Sequence, residues 1–219
     1  MQIANFQLKI CNLQFPAPLL LALGVLLAAG PAGRGQSKNM NDSTNQLEVA
    51  TLGGGCFWCT DAVFQMLPGV KSVTAGYAGG TKANPTYQEV CTGRTGHAEV
   101  IQIKYDPKAI SYGKLLETFW DAHDPTTLNR QGPDSGTQYR SIILYSNQAQ
   151  KVVAEKSKAE AQKHFSQPIV TEIVPLKQFY PAEDYHQDYY REHPDRPYCR
   201  AVIRPKVEKF EKKLQTARH

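Results

Sequence analysis

Cys56 is the residue with the clearest chemical prospects in this 219-residue chain. It stands in Gly53-Gly54-Gly55-Cys56-Phe57-Trp58-Cys59. Glycine lacks a Cβ, so the run ending at Gly55 lets the backbone come close to a substrate and aims unpaired N–H groups at it. Residues Cys56 to Leu67 read as a helix stopped by Pro68-Gly69. That puts Cys56 at the helix start, where the dipole and the free N–H groups favour a thiolate. A nucleophilic cysteine facing an open surface is the expectation. The plain alternative is a buried thiol packing as a small hydrophobe.

Cys56 and Cys59 also form Cys-x-x-Cys. A general thiol–disulfide oxidoreductase would use such a pair, but that motif normally follows the first strand of a βαβ unit, and the pattern here does not continue so. Structural zinc needs four ligands, usually with a second close Cys/His pair. Cys91, Cys199 and the scattered histidines supply none. No metal and no cofactor are expected. The other reactive candidate is Glu99. In Glu99–Tyr105, strict alternation puts Glu99 with Ile101, Ile103 and Tyr105 on one face. A carboxyl on the core side has its pKa raised and stays a proton donor near neutrality; a strand-end acid reaching solvent is the alternative.

The elements that must hold these groups mingle strands and helices without a βαβ period. Strands are expected at Glu48–Leu52, Val70–Tyr77, Glu99–Tyr105, Gln138–Tyr145 and Ile169–Val174. Helices are expected from the Ser111 cap to His123, at Asn147–Phe165, at Ala182–His193 and at Pro205–Gln215. The class is therefore α+β, with a mainly antiparallel mixed sheet and flanking helices. A hydrophobic share of 41% with 11 Tyr and 8 Phe excludes disorder for most of the chain. Five Cys are too few for a disulfide scaffold. A net charge of +5 with no aromatic-interleaved basic stripe gives no reason to expect nucleic acid as a partner.

The N-terminus reads as an appendage. Ala17–Ala29 is apolar and uncharged, of signal-peptide length and short of a membrane span, with small residues after it. Residues 1–33 are thus expected to be a signal peptide or anchor, 34–46 a polar linker and 47–219 the catalytic domain. An exported or membrane-anchored chain follows, with a cytoplasmic alternative if translation starts at Met40.

GCFWC, GYAGG (Gly76–Gly80), the run Pro85–Pro107, FWDAHDP (Phe119–Pro125), the run Gln131–Tyr145 and YPAEDYHQDYY (Tyr180–Tyr190) together resemble the type A peptide-methionine sulfoxide reductase family. The resemblance runs from about Glu48 to Lys206. It implies a ferredoxin-like core with a long coil-rich C-terminal segment. It also implies reduction of methionine S-sulfoxide, in proteins, peptides and as the free amino acid, by a monomer recycled by a thioredoxin-like reductant. Cys56 would be the nucleophile and Glu99 the acid. Tyr87 and Tyr139 would bond the sulfoxide oxygen, and Asp134 would bind the substrate backbone or organise water. Phe57 and Trp58 would seat the terminal methyl. His97 and His186 are expected to support structure. Cys56 would end as a sulfenic acid that a second thiol must resolve. Tyr198-Cys199 resembles the family's C-terminal resolving site, but no cysteine follows it, and Cys59 stands where many relatives have Gly. Cys199 is the expected resolver because a disulfide between Cys56 and Cys59, one helical turn apart, would strain the helix; Cys59 is the alternative. Cys91 is expected to be a buried bystander. A non-enzymatic binder of oxidised methionine is the remaining rival.

Overall fold

Apolar alternation in three neighbouring segments builds the centre of a sheet. The computed structural model describes residues 46–216. The expected leader and most of the linker fall on residues 1–45, outside the described residues. Six strands run β1 (Glu48–Gly54), β2 (Val70–Ala78), β3 (Ala98–Tyr105), β4 (Ser141–Tyr145), β5 (Glu172–Pro175) and β6 (Phe179–Pro181). Their spatial order is β5-β4-β1-β3-β2-β6, and only the β4–β5 pair is parallel. Both outer strands are short, and each ends in proline.

The helices are α1 (Phe57–Phe64), α2 (Tyr87–Cys91), α3 (Tyr112–Ala122), α4 (Gln148–Ala161) and α5 (Arg204–Thr216). On α3, Tyr112, Leu115, Leu116, Phe119 and Trp120 form one buried stripe, and Ser111 caps its start by accepting from the Lys114 N–H. Leu52, Ile101, Ile103 and Ile143 face a main core shared with α1 and α3. The alternate positions Ala98, Val100, Ile142 and Leu144 face a smaller core on the other side.

Several expected elements change. The expected strand from Gln138 starts at Ser141, because Thr137–Tyr139 forms a 3₁₀ turn. The Arg140 guanidinium holds that turn by donating to the Thr137 and Gly96 carbonyls at 2.9 and 3.0 Å. The expected helix Ala182–His193 is broken into turns at Asp184–His186 and Tyr189–Glu192, because Asp188 adopts a left-handed φ of 51° between them. The short α2 was not expected, although Thr86 and Glu89 form a complete capping box.

The glycine run has structural reasons of its own. Gly54 packs on the His123 ring, which donates from Nδ1 to the Phe119 carbonyl and accepts from the Ser141 hydroxyl, both at 2.7 Å. Burial holds that imidazole neutral, with its pKa lowered to about 4. Gly55 has φ +95°, and a Cβ there would lie 2.6 Å from the Gln131 side chain. Gly55→Ala is expected to lower stability by about 3 kcal/mol, the upper end of the cost of forcing a side chain into such a conformation. A urea titration followed by far-UV circular dichroism measures it.

Candidate active site

The turn through Gly55 ends at Cys56, which is the N-cap of α1 (φ −56°, ψ 124°) and so lies outside the helix proper. Cys59 is the third residue of α1, and its N–H donates to the Cys56 carbonyl at 3.0 Å. This placement corrects the strain argument. A bond between an N-cap side chain and one at the third helical position leaves the helical hydrogen bonds intact, so Cys59 is not disfavoured as a disulfide partner.

The site is closed, which corrects the expectation of an open surface. Cys56 is 4% exposed. Burial first, then the Cys59 thiol hydrogen-bonded to it, pushes the Cys56 thiol well above its ordinary value. Cys59 moves the other way, to about 7, drawn down first by that bond from Cys56. Cys199 is fully buried, and burial raises its thiol to about 11. Cys59 lies within electrostatic reach of both other thiols. Cys91, expected to be buried, ends α2 half-buried.

Glu99 enters from the start of β3, 1% exposed. Its Oε2 accepts the Phe57 N–H, the first free donor of α1, at 3.1 Å. Burial nevertheless dominates and raises the carboxyl well above the usual range, with Asp134 and Cys59 adding like-charge repulsion against the opposing N–H. Asp134 follows a Gly132-Pro133 turn in a two-residue hairpin that pairs it with Gln131. It is 1% exposed, and burial lifts its pKa to about 6. Its Oδ2 accepts from the Tyr198 hydroxyl at 2.7 Å, while Oδ1 has no partner among the described residues.

Tyr87 and Tyr139, from α2 and the 3₁₀ turn, are buried. Burial, then Glu99, Tyr139 and Cys56, push the Tyr87 phenol well above its ordinary value, so these four groups lie within electrostatic reach of one another. The backbone N–H of Tyr87 donates to Glu183 Oε1 at 2.9 Å, and the Tyr77 hydroxyl donates to Glu183 Oε2 at 2.8 Å. Glu183 is therefore the strut between β2 and α2 that sets where Tyr87 stands. Reading the sequence missed it, although it lies within the quoted YPAEDYHQDYY run.

Phe57 and Trp58 line the apolar side. Trp58 stacks on Tyr189 with centroids 3.7 Å apart, and its indole N–H donates to His186 Nδ1 at 3.2 Å. His186 thus carries its proton on Nε2, which is buried without a partner, and burial lowers its pKa to about 4. His97 ties a loop: it accepts from the Gly80 N–H and donates to the Lys82 carbonyl. Among the described residues, no cluster of three or more His, Cys, Asp or Glu could hold a metal ion.

The cavity therefore joins buried thiols, a buried acid, a second carboxyl, phenols and an aromatic wall. Such a set can support nucleophilic attack by sulfur with proton delivery to a developing oxygen. Comparison with known proteins gives the same direction. The family model described as peptide methionine sulfoxide reductase matches residues 48–218. The peptide methionine sulfoxide reductase MsrA of Leptospira borgpetersenii is 59% identical over 164 residues, 75% of this chain and 93% of that protein. Its namesake from Saccharolobus solfataricus is 59% identical over 166 residues, 76% of this chain and 94% of that one. Among solved structures, the reduced form of Mxr1 from Saccharomyces cerevisiae superposes with a TM-score of 0.68 at 37% identity, covering 74% of this chain and 94% of that one. Methionine sulfoxide reductase A of Corynebacterium diphtheriae gives 0.62 at 36% identity, covering 71% and 78%.

Proposed function

The chain belongs to the peptide methionine sulfoxide reductase family, and from that premise we propose that it reduces methionine S-sulfoxide to methionine at Cys56. The observation that supports this most is the pairing of a thiol at the start of α1 with the desolvated Glu99 carboxyl, which accepts the next N–H of the same turn. The Cys56 sulfur attacks the sulfoxide sulfur while Glu99 protonates the departing oxygen. The substrate S–O bond breaks with two electrons passing to its sulfur, a hydroxyl joins the Cys56 sulfur as the transient bond between the two sulfurs breaks, and methionine leaves Cys56 as a sulfenic acid. Tyr87 and Tyr139 hydrogen-bond the oxygen as charge grows on it. Phe57 and Trp58 seat the methyl group, and that slot selects one epimer by shape at the chiral sulfur. Asp134 takes a backbone N–H of the substrate.

A second thiol then condenses with the sulfenic acid, forming a disulfide and releasing water. Cys199 takes this role, with Cys59 as the alternative that the N-cap geometry brings back. An external dithiol of the thioredoxin type returns both sulfurs to thiols. The substrates extend to free methionine sulfoxide, with the monomer as the working unit. The general dithiol reading is the weaker one, because the relatives at 59% identity are methionine sulfoxide reductases and because such chemistry would have no use for Glu99.

The test is incubation with dithiothreitol and racemic N-acetylmethionine sulfoxide, followed by chiral chromatography. The S epimer is expected to disappear and the R epimer to persist. Consumption of neither would leave a binding role instead.

A further inference from the structure

We propose that Tyr198 is an intramolecular gate: its hydroxyl occupies the Asp134 subsite in the resting protein, and an incoming sulfoxide must displace it, so that substrate and the Cys199 segment hold the cavity in turn. This deepens the reductase reading above and rests on it.

Tyr198 is 4% exposed although the residues before it, Pro194–Pro197, are exposed. The chain therefore dives from the surface into the interior at Tyr198 and Cys199. There its hydroxyl lies 2.7 Å from Asp134 Oδ2 and 3.8 Å from Cys59 Sγ, and its ring meets Trp58 edge-on at 5.9 Å. These are the carboxylate and the aromatic wall a peptide sulfoxide would need. One phenol satisfies only half of Asp134, since Oδ1 is buried without a partner. A buried carboxylate oxygen lacking a donor is costly. A ligand bringing donors to both oxygens has an advantage over Tyr198, and a peptide backbone carries such donors.

The segment is held by burial of Cys199 and Ile203 in the main core, and its polar ties on the outside are few. Cys199–Ile203 forms a π turn that runs directly into α5. Such turns are rare and concentrate at functional sites. On the outside, Arg204 donates to the Pro194 carbonyl and to Asp195 at 3.0 and 3.1 Å, and exposed ion pairs of this type hold weakly. Departure of Tyr198 carries its neighbour Cys199 away. The resolving thiol is then withdrawn while substrate is bound and comes back once methionine has left. No electron moves in the gating step.

The experiment uses the full chain with Tyr198→Phe, which keeps the ring and removes the hydroxyl. Iodoacetamide labelling of reduced protein, read at the Cys56 peptide by mass spectrometry, should quicken about tenfold, the scale of one hydrogen bond to a carboxylate. KM for N-acetylmethionine S-sulfoxide should fall several-fold with kcat changing less. A Cys56 labelling rate equal to that of the unmodified chain overturns the gate, whether or not the chain is a reductase. Faster labelling with unchanged KM also overturns it, because Tyr198 would then shield the thiol without competing for substrate. A lower urea midpoint with both readouts unchanged would assign Tyr198 to packing alone. Absence of turnover in the unmodified chain would instead sink the reductase reading, leaving the labelling arm to decide whether Tyr198 closes the site.

Discussion

Glu99→Gln is expected to lower kcat/KM for a peptide methionine S-sulfoxide by about 10²–10⁴-fold near neutral pH, the range a general acid supplies. Glutamine keeps an oxygen for the Phe57 N–H and loses only the transferable proton. The sign with pH follows from burial, which raises the Glu99 carboxyl. The protonated form is the active one, so activity of the unmodified chain falls as pH rises through that elevated pKa. The variant should lack this alkaline limb. Stability runs consistently. A carboxyl whose folded pKa is raised makes the fold less stable as pH climbs from its ordinary value toward the raised one. Glutamine removes that penalty, so the variant should be at least as stable as its parent above the ordinary carboxyl range. Stopped-flow turnover across pH, with urea titrations alongside, checks both. A variant of near-normal rate would remove Glu99 from the chemistry.

Cys199→Ser is expected to stop continuous turnover with thioredoxin at about one methionine per chain, since the first half of the cycle needs only Cys56. The physical reason is where each thiol sits along the chain. All three are buried, but Cys56 and Cys59 are fixed at the start of α1, whereas Cys199 comes just two residues after the exposed Pro194–Pro197 stretch. Only a disulfide that includes Cys199 can swing to an external dithiol. Quenched single-turnover samples, trapped with dimedone and mapped by mass spectrometry, show which sulfurs are joined. If Cys199→Ser recycles at the normal rate and Cys59→Ser does not, Cys59 is the resolver, and the N-cap geometry already permits that bond.

Burial of Glu99 was legible because β3 alternates over its whole length and no other segment competes for that face. The α3 helix was legible for a similar reason, since a capping serine and a five-residue apolar stripe agree. Other parts were hidden by tertiary effects. Tyr139 sits in a 3₁₀ turn rather than a strand because Arg140 bends the chain there, tied to the nearby Thr137 carbonyl and to the Gly96 carbonyl 44 positions away. The five residues of α2 are too few to show a period, and only the Thr86/Glu89 box could have revealed them. The segment before α5 reads as mobile from its prolines, yet Tyr198 is sunk in the cavity. Nothing local in the sequence encodes a contact with Asp134, 64 positions earlier. Burial of the Cys56 sulfur is likewise not what a glycine-rich turn suggests.

The two borders of the sheet have a consequence for the company this protein keeps. β5 and β6 are only four and three residues long, and each closes on a proline that has no N–H to offer. Neither margin can therefore template a long stretch of foreign chain into the sheet. A methionine sulfoxide reductase with such borders can take in one oxidised side chain without its sheet being extended along the rest of the substrate chain.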